Sequence, residues 1–191
     1  MHPFSRSTFL AAMLTTLVMT VGCAGVSPHY VPSIDHVEAL KSSGAGPAKV
    51  GFVVVQADLP SGKAIGLRGK TMTSPVGSNF GDYIADALRQ ELELAKLYDT
   101  QSGLEISGTL LQNDIIVGAF SSSVGQIEIR FFVKRSGLLR FDKVKRIEHK
   151  WNGSLSGAVA IPQAVDNYPV MVQKLIGELV ADSEFIRSLK N

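Results

Sequence analysis

The clearest alternation of apolar and polar side chains along the chain covers residues 126–134. The apolar side chains on one side of this segment are Ile127, Ile129, Phe131 and Val133. Successive side chains of a strand point to opposite faces, so the pattern predicts a half-buried strand in an antiparallel sheet. Weaker alternation predicts two more strands, over 104–112 and 144–155, the latter with Ile147, Trp151 and Leu155 facing inward.

A short apolar run, 49–57, lies between Pro47 and Pro60 and is rich in valine. A run of this length and composition predicts a buried central strand. Residues 58–78 then form a long connection with several glycines and prolines. Because loops of this length are uncommon in compact domains and are often functional, the connection is a candidate contact surface, or it contains a strand near Ala64–Leu67.

Helical periodicity appears in two places. The first helix is predicted to begin at Asn79, which can cap it, with Asp82 in its first turn. Its apolar face consists of Phe80, Tyr83, Ile84, Ala87, Leu88, Leu92 and Ala95. The second helix is predicted to begin near 167–169, where Pro169 suits a first turn. Asp182 is expected to cap a final helical turn over 184–189.

The predicted order of elements is therefore β-α-β-β-β-α. Such an order predicts an α+β fold, a two-layer sandwich with both helices on one face of a mainly antiparallel sheet. Residues 48–191 would form this single domain, and residues 23–47, with three prolines and a Ser/Gly-rich stretch, would form a flexible tether in front of it. Within the tether, Ile34, Val37 and Leu40 could form one turn of helix or a segment that folds against a partner.

The first 22 residues have a different character. Arg6 supplies positive charge, and residues 9–21 follow as 13 uncharged, mostly apolar residues. A helix needs about 20 apolar residues to cross a bilayer core, so the run is typical of a signal peptide rather than a permanent membrane span. We expect residues 1–22 to be removed.

The end of this run, Thr20-Val21-Gly22-Cys23, resembles the lipobox of bacterial lipoproteins, with Thr20 where leucine is usual. The resemblance implies cleavage before Cys23 and attachment of a diacylglyceryl group and an N-acyl chain to that residue. Several acyl chains on one residue give a stable anchor where one chain gives a marginal one. Ala24 after the cysteine implies the periplasmic face of the outer membrane. The alternative is an ordinary secretory signal followed by an unrelated cysteine.

Composition narrows the chemistry. Cys23 is the only cysteine in the 191 residues, so no disulfide can form within the chain. The chain has 19 basic and 17 acidic side chains, and removal of Arg6 with the signal leaves 18 against 17, a net charge near +1. Nothing in this balance favours a nucleic-acid partner.

The lipobox, the first strand with its long loop, the capped helix, the three-strand meander and the terminal run Ala181-Asp-Ser-Glu-Phe-Ile-Arg187 together resemble the YajG-type family of bacterial lipoproteins. The layout is similar, more distantly, to small periplasmic lipoproteins that activate penicillin-binding proteins or assist lipid-exporting ABC systems. The resemblance implies a periplasmic accessory role without known catalysis, and it supplies no active-site residues.

No catalytic motif or metal-ligand cluster emerges from the residues themselves. We therefore expect no enzyme activity, no metal and no cofactor beyond the acyl chains on Cys23. His149 is the only histidine in the predicted domain and is expected to have a hydrogen-bond partner rather than a metal.

Residues 134–150 contain seven basic side chains against two acidic ones, a local net charge of +5. The residues that are candidates for contact with an anionic surface are Lys134, Arg135, Lys145, Arg146 and Lys150. The simpler interpretation is that lysines at a sheet edge deter aggregation. The functional one is a patch for anionic lipid headgroups, lipopolysaccharide phosphates or acidic cell-wall polymer.

These patterns leave two functions open. The first is a membrane-anchored, non-enzymatic adaptor in cell-envelope assembly or transport, with an envelope protein as partner. The second is a carrier that holds a lipid or another hydrophobic ligand between the helices and the sheet.

Overall fold

The computed structural model describes residues 25–190, which form two sheets and four helices. The strands are β1 (Gly25–Val26), β2 (Lys49–Val55), β3 (Ala64–Leu67), β4 (Lys70–Thr73), β5 (Leu104–Ile116), β6 (Ser123–Arg135) and β7 (Leu138–Trp151). The helices are α1 (Ile34–Ser42), α2 (Phe80–Leu94), α3 (Gly157–Val180) and α4 (Ser183–Ser188). The predicted order is therefore incomplete, because β1, α1, β3 and β4 were not part of it.

The larger sheet has the strand order β2-β5-β6-β7 and is mixed rather than mainly antiparallel. β2 runs parallel to β5, while β5, β6 and β7 form an antiparallel meander. The parallel pair follows from the connection between β2 and β5, which crosses over through α2, since parallel strands need a crossover whereas antiparallel ones can be joined by a hairpin.

One face of the larger sheet carries the core. The inward positions predicted on β6 are confirmed: Ile127, Ile129, Phe131 and Val133 are all buried. α2 packs on β2, and α3 packs on β6 and β7. The two helices meet at Tyr168, whose ring centroid lies 4.6 Å from that of Phe80 and 5.4 Å from that of Tyr83. Aromatic pairs at these separations stabilise a core beyond the area that they bury.

The predicted cap of α2 is confirmed. The side chain of Asn79 accepts a hydrogen bond from the Asp82 amide at 3.0 Å, and the Asp82 carboxylate accepts one from the Ser78 amide at 2.8 Å. Each side chain thus satisfies a backbone donor at the start of the helix. Glu91, on the apolar face of the same helix, is fully buried, which the pattern of apolar positions did not predict.

Residues 58–78 hold most of the smaller sheet, whose order is β1-β4-β3. The strand suggested near Ala64–Leu67 is present as β3, and it forms a hairpin with β4 through a two-residue turn. Arg68 and Gly69 adopt positive φ values of 47° and 78° in this turn. Turns of this kind match the twist of the two strands that they join.

The prediction that 49–57 forms a central strand was wrong. β2 is an edge strand of the larger sheet, and Phe52 and Val54 are 83% and 59% exposed. A register irregularity between Val50 and Val53 interrupts its pairing with β5. An apolar run shows that a segment is extended, but neighbours distant in sequence decide whether both of its edges are paired.

Two boundaries near the carboxyl end also differ. β7 begins at Leu138 and ends at Trp151, so Leu155 lies beyond the strand and is exposed rather than inward. α3 begins at Gly157, ten residues before the predicted start, and contains Pro162 and Pro169 within it. Its early turns bury alanines at helical spacing, a weaker signal than the large apolar residues that follow.

The described part of the predicted tether, residues 25–47, is packed against the domain. α1 buries Val37 and Leu40 and contacts both α2 and α3. Before it, the Pro28 carbonyl accepts a hydrogen bond from the Tyr83 hydroxyl at 2.9 Å, and the Val31 carbonyl accepts one from the Gln173 side chain at 2.6 Å. The segment looked like a linker because its contacts are all distant in sequence.

Glu91 organises this amino-terminal segment. Its Oε1 accepts hydrogen bonds from the Tyr30 hydroxyl at 2.5 Å and the Ser33 amide at 3.0 Å, and His36 Nδ1 lies 3.2 Å away. Burial, and then the hydrogen bond to Glu91, raise the pKa of Tyr30 above its ordinary value, so its hydroxyl stays protonated and donates. One buried carboxylate oxygen therefore joins three groups of the segment to α2.

Replacement of Glu91 by alanine should lower the free energy of unfolding by about 2–4 kcal/mol, because buried donors would lose a charged acceptor. The matched control is Glu93→Ala, which removes an exposed carboxylate from the same helix and should cost less than about 0.5 kcal/mol. Urea denaturation of the purified chains measures both. Equal costs for the two substitutions would contradict the structural role given to Glu91.

Candidate functional surfaces

The predicted anchor, Cys23, lies outside the described residues, as does the predicted signal at 1–22. The described chain begins two residues later at β1, where Gly25 and Val26 pair in parallel with Met72 and Thr73 of β4. Because the two strands run in the same direction, the chain enters β1 on the side of the sheet where β4 begins, beside the β3–β4 turn. The described chain therefore starts at the end of the domain that carries the β3–β4 turn.

The β3–β4 turn is joined to two other loops by Arg68. Its guanidinium group donates hydrogen bonds to the carbonyls of Val117 at 3.2 Å, Ser154 at 2.8 Å and Leu155 at 3.3 Å. The Ser154 amide in turn donates to the Gly118 carbonyl at 3.1 Å. We call the surface formed by the β3–β4 turn, residues 117–122 and residues 152–159 the turn end.

An apolar groove of about 390 Å³ opens at the turn end, between the smaller sheet and the start of α3. It is lined by Gly25, Leu67, Lys70, Thr71, Gly157, Ala158, Ile161, Pro162 and Val165. Beyond it, Phe120 is 90% exposed and Leu155 is 64% exposed. The turn end therefore presents apolar side chains to solvent next to the start of the described chain.

The outer edge of β2 is a second apolar surface. In the described part of the chain no strand pairs with this edge, and the exposed side chains of Phe52 and Val54 lie along it. The edge is partly covered, because Ala48 just before β2 forms a bridge with Tyr98 and Gly81 of α2 lies against the Val53 carbonyl. A shallow groove beside Phe52 is bordered by Val76 and Ala85 and by the charged side chains of Asp82, Asp86 and Arg89. A sheet edge of this kind offers unpaired backbone donors and acceptors to another extended chain.

The opposite edge of the same sheet, β7, has a different character. Arg146 pairs with Glu128 of β6 at 3.6 Å, and Lys150 pairs with Glu148 at 2.8 Å, on the exposed face of the sheet. Hydrogen bonding to Glu148 raises the pKa of Lys150. β7 therefore carries charged side chains together with the exposed apolar residues Leu138, Leu139 and Val144, whereas the exposed side chains of β2 are apolar only.

The structure does not bring the five predicted basic residues onto one surface. Lys145 points to the helical side of the sheet and ends 2.8 Å from Asp182. Arg135 donates to the Lys190 carbonyl at 2.8 Å. Lys134 is exposed at the tip of the β6–β7 hairpin, in register with Glu105 of β5. With Arg146 and Lys150 paired to carboxylates, the local excess of positive charge is divided between two faces.

Asp182 is where two of the basic side chains converge. Its Oδ2 lies 2.8 Å from Lys145 Nζ and 3.1 Å from Lys143 Nζ, while Oδ1 accepts from the Glu184 amide and caps α4. Burial opposes ionisation, but these hydrogen bonds outweigh it and hold the pKa of Asp182 well below its ordinary value. The capping role predicted for Asp182 is confirmed, and Phe185 of α4 is buried as expected.

His149 has the hydrogen-bond partners predicted for it. Its Nε2 lies 2.8 Å from the Asn167 side-chain oxygen, and its Nδ1 lies 2.7 Å from Lys174 Nζ. Over residues 25–190 no group of three or more His, Cys, Asp or Glu side chains is placed to hold a metal ion. Within the same range, no helix is long and apolar enough to span a membrane.

Some of the relevant residues carried a sequence signal and others did not. Glu91 follows Leu88 by three residues and Ala87 by four, a spacing that places it on the buried face of α2. The sequence therefore does contain a signal that a carboxylate lies on the apolar face of this helix. The sequence contains no comparable signal that Phe52 and Phe120 are exposed. Their exposure depends on which strands pair and how loops pack, and periodicity does not determine either.

No family model matches the chain, and no curated protein matches it. Solved structures do resemble it. A Xanthomonas campestris protein described under the family model DUF330 aligns with a TM-score of 0.57 and 10% identity, over 83% of this chain and 92% of that one. The likeness shows a shared fold and transfers no residue roles.

Two weaker likenesses have TM-scores of 0.44. One is to a minor lipoprotein from Acinetobacter baumannii, 7% identical, covering 75% of this chain and 95% of that one. The other is to a hypothetical protein from Chlamydia trachomatis, 12% identical, covering 74% and 98%.

Asp182→Asn tests the contact between α4 and β7, because asparagine keeps the capping oxygen and removes the charge. The variant should be less stable by about 1–3 kcal/mol at pH 7. Since the folded pKa is lowered, the contribution of the charge is present above the unfolded value, about 3.9, and is lost as pH falls below it.

The difference between wild type and variant in urea denaturation should therefore be constant from pH 7 to about 5 and should narrow below about 4. Asp142→Asn, which removes a carboxylate paired with the exposed Arg130, is the control and should have a smaller effect at pH 7. A difference that persists unchanged at pH 3 would show that the charge of Asp182 is not its cause.

Proposed function

We propose that the chain is a lipid-anchored accessory protein of the bacterial cell envelope that acts as a non-enzymatic adaptor in assembly or transport. The observation that carries the adaptor role is the open, apolar edge of β2, set against the charged edge of β7 in the same sheet. The lipobox at Cys23 and the YajG-type layout support the anchor, and Ala24 favours the periplasmic face of the outer membrane.

Exposed sheet edges are a hazard, and natural proteins protect them with charged side chains. β7 fits that rule, because Lys143, Lys145, Arg146 and Lys150 all lie on it. β2 departs from it: Lys49 is its one charged residue and is paired with Glu105 at 3.2 Å, while Phe52 and Val54 stand exposed. Because charged side chains protect the β7 edge of the sheet and not the β2 edge, the β2 edge is suited to binding another protein.

The partner that fits this edge is an extended segment of another envelope protein. Strand addition supplies affinity through backbone hydrogen bonds and specificity through side chains at alternate positions. The groove beside Phe52 is lined by Val76 and Ala85 and also by Asp82, Asp86 and Arg89, so it would take a side chain that has both apolar and polar parts. No catalytic group is assigned, since the buried carboxylate of Glu91 binds the amino-terminal segment and Asp182 binds α4.

The apolar groove at the turn end favours a second function, the carrier. Its volume of about 390 Å³ lies within the range of small-molecule sites, about 300–1,000 Å³. The groove lies between α3 and the smaller sheet, not between the helices and the larger sheet as the carrier hypothesis placed it. That interior is filled by Phe80, Tyr83 and Tyr168. Lipid extracted from the purified chain would favour this second function.

Site-specific photocrosslinking in intact bacteria tests the adaptor. With a benzophenone amino acid at position 52 of the full chain, we expect one adduct with another envelope protein, because that side chain stands on the open edge. The same group at Val144, exposed on β7, should give none. Val54→Lys, which places a charge on the β2 edge, should remove the adduct without unfolding the domain.

Cys23→Ser provides the control for anchoring and should also remove the adduct, because the chain would no longer be held at the membrane. An adduct with a second copy of the chain alone would show self-association, and no adduct would show a free edge. Either result would contradict the adaptor.

A further inference from the structure

We propose that the turn end of the domain lies directly on the bilayer surface, with Phe120 and Leu155 entering the headgroup region. The inference rests on the lipid anchor of the proposed function, and it adds which surface of the domain the membrane covers. It follows from the length of chain next to Cys23, the direction in which that chain enters the fold, and the chemistry of the surface at that point.

The length of chain between anchor and fold is short. One residue, Ala24, separates Cys23 from Gly25, which is already paired in the smaller sheet, and the two Cα-to-Cα steps between them span at most about 7 Å. A bilayer of about 40–45 Å has a hydrocarbon core of about 30 Å, so each headgroup layer is about 5–8 Å thick. The chain between anchor and sheet therefore barely crosses one headgroup layer, and the domain cannot stand away from the membrane.

The direction of β1 selects the surface that faces the membrane. The chain enters β1 beside the start of β4, at Lys70, next to the turn that carries Arg68. The Arg68 guanidinium group donates hydrogen bonds to the carbonyls of Val117, Ser154 and Leu155. The loops that carry Phe120 and Leu155 therefore lie at the same end of the domain. An anchor at Cys23 brings these loops to the bilayer with it.

The surface at this end has the chemistry of a membrane contact. Phe120 is 90% exposed, Leu155 is 64% exposed and Val159 is 47% exposed. Residues 66–73, 115–125 and 151–165 contain two basic side chains, Arg68 and Lys70, and no acidic one. Apolar side chains beside cations match an interface whose lipid headgroups are anionic.

The loops that carry the apolar side chains are held in place by the fold. The Gly118 amide donates to Ser123 Oγ at 3.1 Å, and the Gly118 carbonyl accepts from the Ser154 amide at 3.1 Å. The loop at 117–122 and the loop at 152–159 are thus hydrogen-bonded to each other as well as to Arg68. Fixed loops present Phe120 and Leu155 outward without first having to order them, which lowers the entropic cost of contact.

The basic hairpin would then be far from the membrane. The tip of the β6–β7 hairpin, at Ser136 and Gly137, lies at the opposite end of β5, β6 and β7 from residues 117–122. Strands of 13 residues extend about 40 Å. The turn end and the hairpin tip are therefore competing candidates for the surface that the bilayer covers. A fluorescent dye attached at one or the other end shows which of them contacts lipid.

The test uses the fact that Cys23 is the only cysteine of the chain. In the mature lipoprotein its thiol is blocked by the thioether bond to the diacylglyceryl group, so Leu155→Cys or Leu138→Cys creates a single reactive thiol. The two leucines are a matched pair, both exposed and at opposite ends of the larger sheet. Each variant of the full chain is expressed in bacteria, purified, labelled with the environment-sensitive dye NBD and reconstituted into vesicles of phosphatidylethanolamine and phosphatidylglycerol.

Contact of the turn end with the bilayer predicts a blue-shifted NBD emission at position 155, and loss of that emission when the vesicles contain lipids with a nitroxide near the headgroup. Position 138 should show neither effect. The opposite pattern would assign the membrane contact to the hairpin, and absence of both effects at both positions would show that the domain stands away from the bilayer. Each of these results overturns the inference.

The wild-type chain separates this inference from the anchor. If the Cys23 thiol carries its diacylglyceryl group, wild type takes up no dye and remains with the vesicles at high salt. If wild type is labelled at Cys23 and leaves the vesicles, the lipid anchor of the proposed function is wrong, and the inference falls with it. Retention on the vesicles with an unquenched dye at 155 would leave the anchor intact and overturn the inference alone.

Discussion

The buried carboxylate of Glu91 determines where the amino-terminal segment lies, and the rest of the proposed arrangement depends on that position. Tyr30, Ser33 and His36 all meet its Oε1. An unpaired carboxylate or phenol at this depth would be costly, so the segment and α2 stabilise each other. With residues 28–42 held against α2 and α3, β1 is held in the smaller sheet two residues from Cys23. A flexible tether would have left the orientation of the domain free, whereas this segment defines it.

The larger sheet shows how one element can have two different edges. On β7, the basic side chains pair with Asp182, the cap of α4, with Glu128 of β6 and with Glu148 of β7 itself, so a local charge of +5 in sequence becomes a set of ion pairs on both faces of the strand. The geometry agrees with the edge-protection interpretation of these residues. β2 has no such protection, and its exposed apolar side chains lie away from the turn end. The proposed membrane contact and the proposed partner contact therefore use different parts of the surface and can be occupied together.

The elements that sequence patterns predicted well are those whose signals are local. The cap at Asn79, the alternation on β6 and the capped turn at Asp182 each depend on residues within a few positions of one another. The errors concern partners distant in sequence. The short β1 lies about 45 residues from its partner β4, and residues 30–36 lie about 60 residues from Glu91. Proline and glycine between residues 25 and 47 indicated irregular backbone, but Ile34–Ser42 form a helix and the rest of the segment is packed against the domain.

The surfaces assigned here to membrane and partner were only partly predictable for the same reason. Cys23 and the implied anchor come from a local motif. Whether Phe52 lies in the middle of a sheet or at its edge, and whether Phe120 is covered, depends on strand order and loop packing. The excess of basic residues over 134–150 suggested a site for an anionic surface. The spacing of these residues along the chain does not show which carboxylates lie opposite them in the fold.

Hydrogen–deuterium exchange of the α1 amides, Ile34–Ser42, tests the central claim that the amino-terminal segment belongs to the folded domain. In the purified chain, the amides of this helix should exchange far more slowly than those of an unstructured peptide of the same sequence, because Val37 and Leu40 are buried against α2 and α3. Exchange at the rate of the unstructured peptide would show a tether between anchor and domain and would contradict the account.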